Sequence, residues 1–192
     1  VNNDSCYPAI MITGQLINAF LSGEFDPDNC SVLMAQTGGM CRATNYTGLL
    51  RKGLADAGFE QVAVVGMNFN GGEKHPGFSF TPPLIHRIIQ ALVLGDLLQD
   101  LLLRVRPYEA EQGSADRLYE HWNTIVYEFF ANHGRPSTLG RTVGYSWLID
   151  HIVESFDRLQ LLDIPRKPRV GILGEILVQF HPDANNNLVQ GI

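Results

Sequence analysis

The apolar positions of the chain follow a helical period first and then form two strand-like runs. Residues 8 to 22 place apolar side chains at helical spacing, and the same stripe includes Gly14, where we expect another backbone to approach closely. The runs SVLMAQ (31 to 36) and QVAVVGMN (61 to 68) are short and continuously apolar. Such runs are typical of parallel strands that are buried on both faces.

A helix is predicted between these two strands. Thr44 or Asn45 offers its N-cap, and Asn45 could instead orient the preceding loop; the helix ends at about Ala57, because Gly58 follows. The order helix, strand, helix, strand predicts a parallel sheet with crossover helices. We therefore expect an α/β protein whose first part is a Rossmann-like half.

The pattern changes after a loop rich in Gly and Pro. Helical spacing predicts three helices, at about 82 to 105, 114 to 132 and 138 to 160, and we expect their aromatic residues to form a core. The run PRVGILGEILVQF, residues 168 to 180, is then typical of a buried strand. After it, the asparagines at 185 to 187 offer an N-cap to a further helix.

These elements predict three parts. Residues 1 to 80 form the Rossmann-like half, residues 81 to 165 a helical insertion, and residues 166 to 192 the start of a second α/β unit that is cut short. The chain opens without Met, and it closes where a helix is starting. We therefore expect a piece excised from a longer, multidomain protein, with some functional groups outside it.

Composition and charge narrow the function classes. The 192 residues are 45% hydrophobic, and 14 basic against 20 acidic residues give a net charge of −6, which supplies no basic field for a polyanion. The longest apolar segment carries too many charges for a bilayer span. The first residues do not resemble a secretory signal, and three widely spaced cysteines do not make a disulfide framework. We expect a cytoplasmic protein with no nucleic-acid or membrane partner.

Candidate chemistry centres on the loop TGGMC, which follows the first predicted strand. In open parallel sheets, ligands bind at the loops beyond the carboxyl ends of the strands. Gly38 and Gly39 permit backbone conformations that other residues avoid, and so can point N–H groups at a ligand. The N-terminus of the next helix and the charge of Arg42 both favour a thiolate at Cys41. Cys41 is therefore a metal ligand or a nucleophile, with a small buried apolar residue as the alternative.

The other candidate residues carry weaker signals. Cys6 stands directly before the first helix, so Cys6 and Cys41 lie at matching helix N-termini and could converge on one ion or cluster. Cys30 has no glycine or cation beside it, and we expect it to be structural. Glu175 could transfer protons or be an ordinary solvated carboxylate. The six histidines lack ligand spacing, and His181 is the only one predicted near Glu175.

Several motifs together resemble one protein family. They are NDSCYPAIMITGQ, QTGGMCRATNYTGLLRKGLADAGFEQVAVVGMN, HPGF, LVLGDLL, RVRPYE and GILGEILVQFHPDANNNLV. The chain resembles the acyl-CoA dehydratase activase-related proteins, which are related to the activator and the iron-sulfur component of 2-hydroxyacyl-CoA dehydratases and benzoyl-CoA reductases. The likeness is most specific at QTGG-x-CRATNY and GE-x-L-V-x-F-x-P-x-x-NNN, and weakest from about Glu111 to Leu162. Nothing here resembles the ATP-binding activase domains of that family.

The resemblance implies an extended Rossmann-like module whose cysteines hold a 4Fe-4S cluster. Carried over residue by residue, Cys6 in the CYPA motif and Cys41 in the GG-x-CR motif are the candidate ligands. Gly38, Gly39 and Asn45 would belong to the cluster loop, and Arg42 would offset the negative charge of the cluster. Because a cluster needs more than two thiolates, a further ligand would come from beyond Ile192, from another chain, or from solvent or substrate.

The resemblance also implies a function and partners. The parent would take part in low-potential electron transfer driven by ATP hydrolysis, in anaerobic metabolism, as an activator or as an enzyme. Its partners would be the remaining domains of the parent chain, including ATP-binding activase domains, and an acyl-CoA substrate or a dehydratase. We expect the isolated fragment to be inactive and to lack the metal.

Two other function classes stay open on the residues alone. In the first, the TGG loop and the following helix hold an anion such as a phosphate, and Cys41 is incidental. In the second, Cys41 is the nucleophile of an enzyme, which needs a nearby base that this segment does not obviously supply. Iron content separates the redox class from the anion-binding class.

Overall fold

The computed structural model describes residues 6–37, 39–68 and 79–191, which form two compact units. One unit comprises residues 1–79 and 171–192, and the other comprises residues 80–170. The first unit contains α1 (Tyr7–Leu21), β1 (Ser31–Ala35), a 3₁₀ helix (Arg42–Asn45), α2 (Tyr46–Asp56), β2 (Ala63–Met67), α6 (Ile176–Phe180) and α7 (Leu188–Gly191). The second contains α3 (Pro82–Val105), a 3₁₀ turn (Arg106–Tyr108), α4 (Ser114–Ala131) and α5 (Tyr145–Asp157). The predicted α/β class is thus present as a helix-rich chain with a small parallel sheet.

The described sheet consists of β1 and β2, which run parallel with α2 as their crossover. Ser31 pairs with Ala63 at one end of the register and Ala35 with Met67 at the other. Both strands and the crossover helix agree with the sequence pattern. The core of this unit is formed by Phe20, Val32, Met34, Leu50, Leu54, Val62 and Val64.

The prediction that β1 is buried on both faces is wrong. Val32 and Met34 are buried, while Leu33, on the opposite face, is 50% exposed. Among the described residues, α1 and α2 cover one side of this short sheet only, so the alternate side chains of β1 face outward. A continuous apolar run therefore does not establish that a strand is covered twice.

We expected another backbone to approach α1 closely at Gly14, but the close approach between α1 and α2 occurs at a glycine of α2. Gly14 is exposed, and a Cβ atom placed on it would meet nothing within 4 Å. A Cβ atom on Gly53 of α2 would lie 3.0 Å from Cγ2 of Thr13 and 3.2 Å from Cδ1 of Ile17. Gly53 is therefore the residue that lets α1 and α2 pack closely.

The second unit is a three-helix cluster around its own core. The helices α3, α4 and α5 enclose Leu94, Leu98, Val105, Ala115, Trp122, Ile125, Val126, Val143, Leu148, Ile152 and Phe156. Most aromatic residues lie in or against this core as predicted, but Tyr127 is 73% exposed. Helix α5 begins at Tyr145 rather than near residue 138, because Pro136 is followed by turns.

The strand predicted at residues 168 to 180 is absent, and a short helix stands there. Residues 171 and 174 are exposed glycines, and Leu173 is 94% exposed, so this run has no strand neighbour in the described chain. Helix α6 begins after Glu175, whose carboxylate accepts hydrogen bonds from the N–H groups of Leu177 and Val178 at 3.0 and 3.2 Å. This N-cap favours a helix over an extended strand.

The asparagines at 185 to 187 lie directly before a short helix, α7, which stands within the chain. The side-chain oxygen of Asn185 accepts a hydrogen bond from the N–H of Leu188, the first residue of α7, at 3.1 Å. The interpretation of residues 166 to 192 as the start of a further α/β unit stays a prediction. No helix in the described ranges is both long and apolar enough to cross a membrane.

Candidate functional site

The candidate site is built on the loop that joins β1 to α2, at the carboxyl end of β1. Gln36 fixes the start of this loop, because its backbone N–H donates to the carbonyl of Met67 at 2.9 Å, just beyond the paired strands. Its side-chain amide donates to the carbonyl of Thr44 at 2.8 Å. The Thr44 hydroxyl in turn donates to the carbonyl of Gly39 at 2.7 Å. The loop is therefore tied to both strands before α2 begins.

Both candidate thiols stand at the residue immediately before a helix. Cys6 precedes α1 with φ −67° and ψ 149°, and Cys41 precedes the 3₁₀ helix with φ −70° and ψ 143°. Neither side chain caps its helix through a hydrogen bond. Cys6 is half-buried, Cys41 is exposed, and both are free thiols. Each sulfur is thus available to another partner.

Tyr46, the first residue of α2, contacts one of the two thiols. Its phenol oxygen lies 2.7 Å from Sγ of Cys6. Burial is the largest cause that raises the pKa of Tyr46 to about 12, followed by the hydrogen bond to Cys6 and by electrostatic interactions with Cys6, Cys41 and Glu175. The phenol is consequently neutral at ordinary pH.

Residues 175 to 181 contain two more candidate site residues, and they belong to the same compact unit as the two thiols. Glu175 is exposed, and its carboxylate both caps α6 and lies near Tyr46. Nε2 of His181 lies 2.9 Å from the side-chain nitrogen of Gln15 on α1, while Nδ1 is buried and has no hydrogen-bond partner in the described chain. Glu175 therefore belongs to the surroundings of Tyr46, and the described contact of His181 lies further along α1.

The remaining residues of the predicted loop differ from expectation in detail. Gly38 lies outside the described residues. The φ angle of Gly39 is not in the left-handed region, and a Cβ atom there would meet nothing within 4 Å, so the expected need for glycine is absent at Gly39. Asn45 holds the N-cap position of α2 without a capping hydrogen bond. Its side-chain oxygen lies 2.7 Å from where a Cβ atom of Gly48 would stand.

Arg42 and Cys30 occupy contrasting positions. Arg42 is exposed and begins the 3₁₀ helix directly after Cys41, which places it beside the candidate thiol in sequence and on the surface. Cys30 is half-buried against the core of the first unit. Its packing agrees with the structural role expected for it.

The donor set fits an iron-sulfur cluster in part. The thiol of Cys6 stands against a phenol that can donate a hydrogen bond to sulfur, which is the kind of donor that clusters use. Within the described ranges, however, no group of three or more His, Cys, Asp or Glu side chains is placed to hold a metal ion. A cluster here would need thiolates from elsewhere.

Sequence reasoning missed Tyr46 and Gln36. Tyr46 stands within the CRATNY motif, but its contact with Cys6 depends on how α1 and α2 pack, which local periodicity does not report. Gln36 is a polar residue at the very end of an apolar run, and this pattern could have indicated a side chain that hydrogen-bonds to the following loop. Comparison of the chain with family models, with curated proteins and with solved structures finds no match.

Proposed function

We propose that this chain is the cluster-binding portion of an ATP-dependent iron-sulfur protein for low-potential electron transfer, related to the proteins of 2-hydroxyacyl-CoA dehydratase activation. The observation that carries the proposal is the pair of free thiols, Cys6 and Cys41, each of which stands immediately before a helix, with the phenol oxygen of Tyr46 2.7 Å from the sulfur of Cys6. Cysteine thiolates are the usual ligands of 4Fe-4S clusters. The parallel strands and their crossover helix support a Rossmann-like module, with the thiol loop at the carboxyl end of its sheet.

In this proposal, Cys6 and Cys41 bind iron from two different helix N-termini. A bound cluster would supply one-electron transfer, and the chain sets its surroundings. With Cys6 bound to iron as a thiolate, the phenol of Tyr46, 2.7 Å from its sulfur, would be the donor of their hydrogen bond and would lower the electron density on that ligand. The exposed Arg42 adds a positive charge at the neighbouring loop.

Further ligands come from outside the described pair. The proposal assigns them to another segment of the parent protein or to a second chain, and it makes ATP-binding activase domains the source of the driving force. An acyl-CoA substrate or a dehydratase is then the electron acceptor. Glu175, whose charge acts on Tyr46, is the candidate group for proton transfer.

A thiol-independent anion-binding module is the second candidate. Its support is the exposure of residues 39 to 41 directly before the 3₁₀ helix, whose N-terminus carries no side-chain cap. In that case a phosphate group would occupy the loop, and neither thiol would contribute. This candidate predicts unchanged ligand binding in Cys6→Ser and Cys41→Ser.

Iron and acid-labile sulfide measured on the full-length protein, purified without oxygen, test the proposal. Wild type is compared with Cys6→Ser and Cys41→Ser, and Cys30→Ser is the matched control because Cys30 packs against the core. We expect iron and sulfide in wild type and in Cys30→Ser, and loss of both from the other two variants. A wild type without iron, or equal loss from all three variants, would contradict the proposal.

A further inference from the structure

The second unit contains a cleft that the proposed function does not use. It lies where α3, the C-terminal end of α4 and the start of α5 come together, and its volume is about 270 Å³. Arg87 and Gln90 of α3 form one side, and Phe129 and Phe130 of α4 form another. The cleft lies wholly within one compact unit, so its walls belong to a single core.

The polar side of the cleft is cationic and contains no carboxylate. Nη2 of Arg87 lies 3.1 Å from Nδ1 of His133. Because a guanidinium has only donors, Nδ1 is the acceptor of this hydrogen bond. None of the residues lining the cleft is Asp or Glu. The charge of Arg87 is therefore not balanced by an acidic side chain of the cleft.

The backbone holds His133 at the cleft in an unfavourable conformation. Its φ angle is +50°, which is uncommon for a residue other than glycine. Gly134 follows with φ +86°, donates its N–H to the carbonyl of Phe129 at 2.8 Å, and accepts from the N–H of Val143 at 2.9 Å. These bonds fix the turn that ends α4, and such strain is often retained where a residue has a binding role.

Another side of the cleft is aromatic. The rings of Phe129 and Phe130 meet edge to face, with centroids 5.1 Å apart and an interplanar angle of 84°. The Tyr145 hydroxyl donates to the carbonyl of Gln90 at 3.4 Å, and burial raises the pKa of Tyr145, so this wall stays neutral. An apolar wall facing a few convergent polar groups is the usual form of a small-molecule site.

We infer that this cleft binds a small organic monocarboxylate, with the carboxylate on Arg87 and the apolar body against Phe129 and Phe130. The volume of about 270 Å³ equals that of roughly nine waters, which suits a ligand of about that many heavy atoms. A planar guanidinium binds a carboxylate through two parallel hydrogen bonds. Because the chain carries a net charge of −6, its overall field does not attract anions, and binding depends on this local cation.

Fluorine NMR titration of the 192-residue chain with para-fluorophenylacetate tests the inference. Its amide, para-fluorophenylacetamide, has the same shape without the charge and is the matched probe. We expect saturable changes in the fluorine signal with the acid, and binding of the amide that is at least about tenfold weaker. Equal binding of acid and amide, or no saturable binding of the acid, would overturn the inference.

Variants locate the binding on the cleft. Arg87→Gln is expected to weaken binding of the acid by about tenfold or more, while Arg104→Gln, which changes an exposed arginine of the same helix, leaves it unchanged. His133→Gly relieves the positive φ angle, so it retains the fold while removing the imidazole beside Arg87. We expect it also to weaken binding. Unchanged binding in both Arg87→Gln and His133→Gly, or equal competition by inorganic phosphate, would refute the assignment.

Discussion

The sulfur of Cys6 and the phenol oxygen of Tyr46 lie 2.7 Å apart, although the two residues are 40 positions apart in the chain. The contact joins the N-terminus of α1 to the first turn of α2. It places the phenol of Tyr46 against one of the two candidate thiols, and the raised pKa of Tyr46 reflects this contact and its burial.

Tyr46 should make the protein sensitive to alkali. Its pKa in the folded protein is about 12, above the value of about 10 in an unfolded chain, so stability contributed by the neutral phenol is present below pH 10 and is lost as pH rises through 12. We expect the free energy of unfolding to fall less steeply above pH 10 in Tyr46→Phe than in wild type. Urea unfolding at several pH values measures it. Tyr127→Phe, at an exposed position, should follow wild type, and parallel curves for Tyr46→Phe would contradict the assignment.

Gln36 should stabilise the loop that carries Cys41. Gln36→Ala removes the side-chain bond to the Thr44 carbonyl, and we expect it to lower the free energy of unfolding by about 1 kcal/mol. Chemical denaturation checks this value. Gln61→Ala, at an exposed position before β2, serves as control and should change stability little. Equal stability of the two variants would mean that the hydrogen bond from the Gln36 side chain to the Thr44 carbonyl contributes nothing to stability.

Substitution by alanine should change the stability of the protein differently at two helical glycines. Gly14→Ala meets no atom within 4 Å and should gain about 0.5–1 kcal/mol from helix propensity. Gly53→Ala has the same intrinsic gain, but its methyl group would crowd Thr13 and Ile17 between α1 and α2. We expect Gly53→Ala to be less stable than Gly14→Ala by about 1 kcal/mol or more. Thermal unfolding of both variants measures the difference. Equal stabilities would show that the close approach of α1 and α2 at Gly53 does not limit the size of this residue.

Glu109 should contribute stability that acid removes. Its carboxylate accepts from the N–H groups of Ala115 at 2.8 Å and Gly113 at 2.6 Å, which lower the pKa of Glu109. A depressed folded pKa means that the contribution is present above the unfolded value of about 4.3 and is lost as pH falls through the folded value. Glu109→Gln should therefore flatten the loss of stability between neutral and acidic pH.

The control for Glu109 is Glu120→Gln, at an exposed position on α4, which should keep the acid dependence of wild type. Unfolding measured by circular dichroism at pH values on both sides of the carboxyl range gives the comparison. If Glu109→Gln and Glu120→Gln lose stability with acid equally, the cap of α4 does not depend on ionised Glu109.

Local signals predicted much of the fold. Helix α3 has the bounds expected for it, because Thr81 accepts from the N–H of Leu84 at 3.4 Å and Pro82 starts the first turn. The two strands and α2 were predicted because apolar runs and a glycine stop mark their ends. Each of these features depends on a few consecutive residues. The tertiary contacts of the folded chain agree with these local preferences.

The failures arose where structure depends on distant contacts. Whether an apolar run pairs as a strand depends on a neighbour, and the run ending at Phe180 became the short helix α6 instead. The position of Tyr46 against Cys6 depends on α1 packing across Gly53, which no local pattern indicates. The candidate thiols themselves were identifiable, since each stands immediately before a helix.

The most direct test of the central claim, that Cys6 and Cys41 serve one iron-sulfur centre, is the low-temperature electron paramagnetic resonance spectrum of the reduced full-length protein, purified without oxygen. We predict the signal of a reduced 4Fe-4S cluster in wild type and in Cys30→Ser, and its loss or altered form in Cys6→Ser and in Cys41→Ser alike. A wild-type spectrum without a cluster signal, or one that both single variants leave unchanged, would contradict the claim.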